Sequence, residues 1–226
     1  MVKIITVYGN MLLTAMGRTL LLAFLGLGFA CILGMIFDLK KKKKNKACNI
    51  ISNIFVFVIR GVPMIVLAFF IYFGIPYFVN TIIGIGGGFT LSALQAGTIC
   101  LALNCGAYMA EIIRAGIQSV DIGQMEAGRS LGLPYWKTMR KIILPQAIRT
   151  MIPSIINQFI ITVKDTSILS VIGFPELVLA AKQVQANTFR AFETWAIVGI
   201  MYLIVITILS YLAKLVERRM NRGINR

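Results

Sequence analysis

Five long apolar runs, each carrying little or no charge, constrain this chain more than any other feature. They cover about 11–37, 50–73, 90–112, 151–172 and 194–215, and each approaches or exceeds the roughly 20 residues a helix needs to cross the hydrocarbon core of a bilayer. A composition that is 58% hydrophobic, with mean hydropathy +0.83, also lies far outside that of an ordinary soluble domain. The expectation is an all-α integral membrane protein, one domain over residues 1–226 with five transmembrane helices. The second run is interrupted by Arg60-Gly61-Val62-Pro63. The first begins almost at Met1, but it is longer than the apolar core of a signal peptide and no small-residue cleavage site stands near its end, so a retained helix is expected.

Basic residues are distributed by side of the membrane rather than by patch. Of the 23 Lys and Arg, six fall in 38–49, six in 113–150 and five in 213–226, whereas 1–10, 74–89 and 173–193 hold three between them. The remaining three, Arg18, Arg60 and Lys164, lie inside spans. Positively charged loops stay in the cytoplasm, so this bias predicts an outside amino terminus, a cytoplasmic carboxyl terminus and a cytoplasmic loop over about 113–150. The formal charge of +15 therefore reads as topology and not as nucleic-acid binding, and the run Lys40 to Lys44 reads as an anchor that also meets anionic lipid.

Several chemistries find no support. Cysteines 31, 48, 100 and 105 form no CxxC pair and the chain has no histidine, which argues against a disulfide framework and against a zinc or haem site. No Gly-x4-Gly-Lys-Ser/Thr is present to cradle nucleotide phosphates, so any ATP that drives this chain is bound by another subunit. No metal cluster or activated nucleophile points to a membrane-bound enzyme.

Two stripes of small residues, Gly26/Ala30/Gly34 in the first span and Ala102/Gly106/Ala110 in the third, recur every four residues and so lie on single helical faces. Such stripes let helix backbones approach closely, and plain packing is their expected role. Between spans, the stretch 74–89 contains Pro76, Gly84, Gly86, Gly87 and Gly88 and no charge, a composition for turns. The stretch 173–193 has room for a short interfacial helix facing outside. Both are too small to be a substrate-binding domain.

The most informative polar island is Glu126-Ala127-Gly128-Arg129-Ser130-Leu131-Gly132, followed by Ile142-Ile143-Leu144-Pro145. It reads as a short helix over 122–131, a break at Gly132-Leu133-Pro134, and a second helix from Tyr135 to Ile143 ended by Leu144-Pro145. The spacing Glu-Ala-Gly-x3-Gly-x9-Ile-x-Leu-Pro resembles the cytoplasmic coupling loop of the membrane subunits of binding-protein-dependent ABC importers, whose third position is Ala where this chain has Gly128. The resemblance implies the type I importer permease fold in a bacterial cell membrane. It implies that Glu126, Ala127, Gly128, Leu131, Gly132, Ile142, Leu144 and Pro145 form a knob that docks on a separate ATPase subunit, where ATP and magnesium would be bound. It further implies a second permease subunit, identical or similar, and an extracytoplasmic substrate-binding protein. The island also admits a plainer reading, an interfacial loop whose Arg129, Lys137, Arg140 and Lys141 sit among lipid headgroups.

Polar residues inside the spans are the candidates for a substrate pathway. Asn104, Tyr108 and Glu111 share one face of the third span, and Ser154, Gln158, Thr162 and Asp165, with Asn157 and Lys164 beside them, mark the fourth. A charge at the bilayer centre is penalised by about 2.5–3.5 kcal/mol, so Lys164 and Asp165 are expected in a polar cavity or paired. Arg60 and Met64 in the second span are further candidates, although Arg60 could equally anchor the interrupted helix, and Asn104, Asn157 and Gln158 could equally be interhelical packing elements. The segments 57–63, 104–116, 157–159 and 164–167 resemble the polar amino acid uptake branch of the same importers, which usually has Thr where Val62 stands and in some members Glu where Gln158 stands. A neutral Gln158 implies glutamine or another uncharged polar amino acid. The alternative is a self-sufficient secondary carrier, coupled to protons or sodium through Asp165 or Glu111 and needing no ATPase.

Overall fold

The computed structural model describes residues 1–41, 46–84 and 88–221, and every regular element among them is a helix. In chain order these are α1 (Val2–Lys41), α2 (Lys46–Gly61), α3 (Met64–Ile82), α4 (Ala93–Gln118), α5 (Ile122–Ser130), α6 (Tyr135–Ile172), α7 (Leu177–Thr188) and α8 (Ala191–Asn221). Five of them, α1, α3, α4, α6 and α8, are long and apolar enough to cross a membrane.

The bundle is organised around the contact between α1 and α4. A Cβ at Gly26 would stand 2.7 Å from Leu101 Cβ, one at Gly34 2.7 Å from Met109 Cβ, and one at Gly106 3.2 Å from Leu33 Cβ. Ala30, Ala102 and Ala110 are buried in the same seam. The two small-residue stripes are therefore the two sides of one interface, and the pairings Gly26–Leu101 and Gly34–Met109 advance together, so the helices run parallel. Backbones this close gain dispersion contacts that lipid cannot match. Two turns beyond Met109 in α4, a side chain at Gly116 would collide with Met151 of α6.

Away from α4, α7 closes one end of the bundle. Leu177, Ala180, Ala181 and Val184 pack against Ile4, Leu12, Ala15 and Met16 of α1 and Ile197 and Val198 of α8. Glu176 caps this helix from a fully buried position, its carboxylate accepting from the N–H groups of Val178 (2.8 Å) and Leu179 (2.7 Å) and from the Tyr202 hydroxyl (3.4 Å). Burial pushes its pKa up, while those three donors and nearby Lys182 pull it back down. The next residue's N–H donates to Thr19 Oγ1 at 3.2 Å, so one turn is fastened to α1 and α8 together.

The structure corrects the sequence reading at several boundaries. The span expected over 50–73 is two helices: α2 stops at Gly61, and α3 begins at Met64 after Val62-Pro63 and continues to Ile82. Much of the expected loop 74–89 is thus helical, Pro76 included. Likewise Leu144-Pro145 does not end the helix that starts at Tyr135, which continues to Ile172. Both prolines follow a π-helical turn, Phe70–Gly74 and Met139–Ile143, in which the N–H of Ile75 bonds Phe70 C=O and that of Leu144 bonds Met139 C=O. Widening the turn redirects the carbonyls that proline cannot pair with and lets the helix pass. The short helix expected within 173–193 is α7. Gly84 and Gly88 do turn the chain with φ of +71° and +63°, whereas Gly86, Gly87 and most of the lysine run Lys40 to Lys44 lie outside the described residues, as does the side chain of Cys48. Cys31, Cys100 and Cys105 are free thiols.

Candidate functional site

The polar island folds as a compact knob. Asp121 caps α5 through a hydrogen bond from the Gly123 N–H at 2.6 Å. At its other end Gly132 takes φ +78°, its N–H donates to Arg129 C=O at 3.0 Å, and the Leu133 N–H donates to Gly128 C=O at 3.1 Å. This pair of bonds is a Schellman ending, which satisfies the last carbonyls of a helix and requires a left-handed residue where Gly132 stands. Pro134 then starts α6, which folds back on α5.

Close approach of the two helices falls on Gly128. A Cβ there would lie 2.5 Å from Thr138 Cγ2 and 3.3 Å from Ile142 Cδ1, and Thr138 is fully buried. Glycine in place of the more usual alanine is thus matched to a β-branched partner across the contact. Ile142 packs inward, while Leu144 and Pro145 carry α6 on toward the membrane. Facing the other way, Glu126 and Ala127 are exposed, and so are large apolar side chains: Leu131 at 81% and Trp136 at 71% around the turn, and Ile122 at 75% at the start of α5. Ile122 and Trp136 were not singled out from sequence. Their signal was available, since an unneeded tryptophan in a charged, otherwise polar segment marks a surface made for contact.

The second set of candidates gathers where α2 gives way to α3. Arg60 lies over the ring of Tyr108 at 4.9 Å, and the Asn104 carboxamide approaches Met64 Sδ at 3.8 Å, so these four residues from three helices form one wall. Cys100 points at the Met64 carbonyl at 3.9 Å, one turn earlier in α4 than Asn104. A cavity opens beside Arg60 and Tyr108, lined also by Asn53, Glu111 and Arg114. Asn53 and Arg114 were missed in the sequence, although Asn53 precedes Arg60 by two helical turns and shares its face.

Residues on α6 separate into two groups. Gln158 and Thr162 are buried, the Thr162 hydroxyl donates to Gln158 C=O at 2.9 Å, and both side chains lie beside the Cys105 thiol of α4. Asn157 and Lys164 are exposed, and Asp165 is half-buried. Among the described residues, neither Lys164 nor Asp165 forms an ion pair; the two recorded pairs are Arg114–Glu111 and Arg190–Glu193.

Residues 26–222 match the family described as binding-protein-dependent transport system inner membrane component. The glutamine transport system permease protein of Escherichia coli K12 is 38% identical over 202 residues, which is 89% of each chain. Among solved structures, an amino acid ABC transporter crystallised with histidines has a chain 38% identical to this one, with a TM-score of 0.85 over 94% of this chain and 95% of that one. A methionine ABC transporter in an inward-facing conformation shares the fold at 18% identity, with a TM-score of 0.75 over 93% of this chain and 96% of that one.

Proposed function

The chain belongs to the family of binding-protein-dependent transport system inner membrane components, and from that premise we propose that it imports a polar amino acid, with glutamine the leading substrate. It is a permease subunit of an ATP-driven importer of the bacterial inner membrane, and it hydrolyses no ATP itself. Glutamine is favoured by the E. coli relative and by the neutral Gln158. The secondary-carrier alternative falls with the family assignment.

In this proposal two such subunits pair, each presenting one knob to one ATPase that holds ATP and magnesium. Amino termini face outside, where a binding protein delivers substrate, and the loop 113–150 faces the cytoplasm. ATP binding draws the ATPases together, and the knobs convert that closure into a rocking of the two bundles about a central pathway. Arg60, Met64, Asn104 and Tyr108 supply one wall of that pathway, and Asn157, Gln158, Thr162, Lys164 and Asp165 contribute from α6, which packs beside it on α4.

The observation that carries this reading is the knob. A rigid two-helix turn, internally satisfied in its hydrogen bonds yet exposing Leu131, Ile122 and Trp136 beside Glu126, is built to be buried by another protein. Purification from native membranes tests it. An ATPase and a permease, the latter identical or similar to this chain, should copurify; recovery of a chain that transports with neither partner would refute the proposal.

A further inference from the structure

One turn of α4 nearer the knob than the Met64–Asn104 contact, a cavity of about 500 Å3 opens between α2 and α4, within the roughly 300–1,000 Å3 of small-molecule sites. Its polar wall is Asn53 and Arg60 on one helix and Tyr108, Glu111 and Arg114 on the other. Arg60 lies over the Tyr108 ring at 4.9 Å, and among the described residues its guanidinium donates no side-chain hydrogen bond. Among the described residues, no carboxylate lies within ion-pair distance of Arg60. Glu111 and Arg114 stand 3.8 Å apart, each side chain 40% exposed, a separation too long for a hydrogen bond. Charges held that loosely are available to a ligand.

Two cations and one anion on facing helices match a molecule that carries its own carboxylate and ammonium. A simple anion would meet Glu111 as repulsion, and a neutral sugar would leave all three charges without a partner. We propose that this cavity binds a free α-amino acid at the knob end of the pathway, its carboxylate on Arg60 and Arg114 and its ammonium on Glu111 and the Asn53 carboxamide oxygen. Val56 and Phe57 offer an apolar surface for the side chain. The inference rests on the importer reading, under which this end faces the cytoplasm and the cavity is the last stop before release. Asn157 and Gln158 are not in its wall, so it is distinct from their level. As cytoplasmic amino acid accumulates, the site fills and release slows.

The test uses the permease–ATPase complex in lipid nanodiscs, free of nucleotide and binding protein, titrated with radiolabelled L-glutamine. Because the site reads groups common to all α-amino acids, glutamine serves whatever the preferred substrate. L-glutaminamide, which lacks the carboxylate, and N-acetyl-L-glutamine, which lacks the ammonium, should each compete about tenfold more weakly than glutamine. Glu111→Gln and Arg114→Gln should each weaken glutamine by about tenfold. Glu111→Gln should also abolish the discrimination against the N-acetyl compound, a change that a merely structural role would not produce. Absence of saturable binding, or unchanged affinity in both variants, overturns the proposal; so does a loss of binding that follows Gln158→Glu alone. ATP-driven uptake by the same preparation separates the levels. Uptake without binding at this cavity removes this inference only, while the absence of ATP-driven uptake removes the importer reading beneath it.

Discussion

Gly132→Leu is the substitution that isolates the knob from the rest of the protein. A Cβ at this position would meet nothing within 4 Å, so the side chain itself meets no clash within the chain. The cost is conformational: φ of +78° is disfavoured for an L-residue by about 1–2 kcal/mol, enough to shift the turn between ordered and disordered forms by roughly five- to thirtyfold. Because α1, α4 and α8 make no use of this turn, the bundle should insert and pair normally. The leucine would also project from the exposed end of the knob, beside Leu131, into whatever surface receives it. Gly132→Asn provides the control, since asparagine tolerates the left-handed region and removes most of the strain while keeping a side chain. Reconstituted with ATPase and loaded binding protein, Gly132→Leu should lose most stimulation of ATP hydrolysis and most copurification of the ATPase. Gly132→Asn should recover whatever part of that loss is strain, leaving the part due to steric exclusion. Wild-type stimulation and copurification in Gly132→Leu would refute the argument that this turn is the coupling element.

Gly128→Ala should loosen the knob by up to about 2 kcal/mol, overpacking of 1–3 kcal/mol less about 1 kcal/mol gained in helix propensity. Thr138→Ser, which removes the methyl 2.5 Å from the new Cβ, should restore it; amide hydrogen exchange over 122–145 reads the difference, and additive effects of the two changes would contradict the packing. Cysteines introduced as Lys43→Cys and Arg222→Cys should react with impermeant reagents only from the cytoplasmic side, and labelling from outside would overturn the orientation. Gln158→Glu should move substrate preference toward cationic amino acids, and Asn157→Ala should change the concentration dependence of uptake. Unchanged uptake profiles in correctly assembled complexes of both variants would make these residues packing elements.

Much of the fold was legible because lipid leaves few solutions: long apolar runs had to become helices, and stripes such as Gly26/Ala30/Gly34 had to find a close neighbour. Gly132 was legible because a glycine at the end of a helical pattern, just before Leu133-Pro134, marks a helix end that needs the left-handed conformation glycine alone takes freely. Pro76 and Pro145 misled, because proline normally stops a helix and the π turns that let it continue depend on backbone shifts with no residue signature. The role of Glu176 was hidden as well. An acidic residue in a short loop looks exposed, and only the packing of α1, α7 and α8 around it creates a buried cap. On α6, adjacent Asn157 and Gln158 looked equivalent, yet a rotation of one residue sends Gln158 against Cys105 and leaves Asn157 exposed. Sequence periodicity locates a polar face but not the neighbour that covers it.

The central claim is that this chain moves substrate only when another subunit hydrolyses ATP and pushes on the knob. Its most direct test is uptake of labelled glutamine into proteoliposomes containing the permease, with its ATPase and binding protein added or withheld. The account predicts uptake that requires all three proteins and ATP, and that disappears when the ATPase alone is omitted even with an imposed proton or sodium gradient. Robust gradient-driven uptake by the permease alone would contradict it.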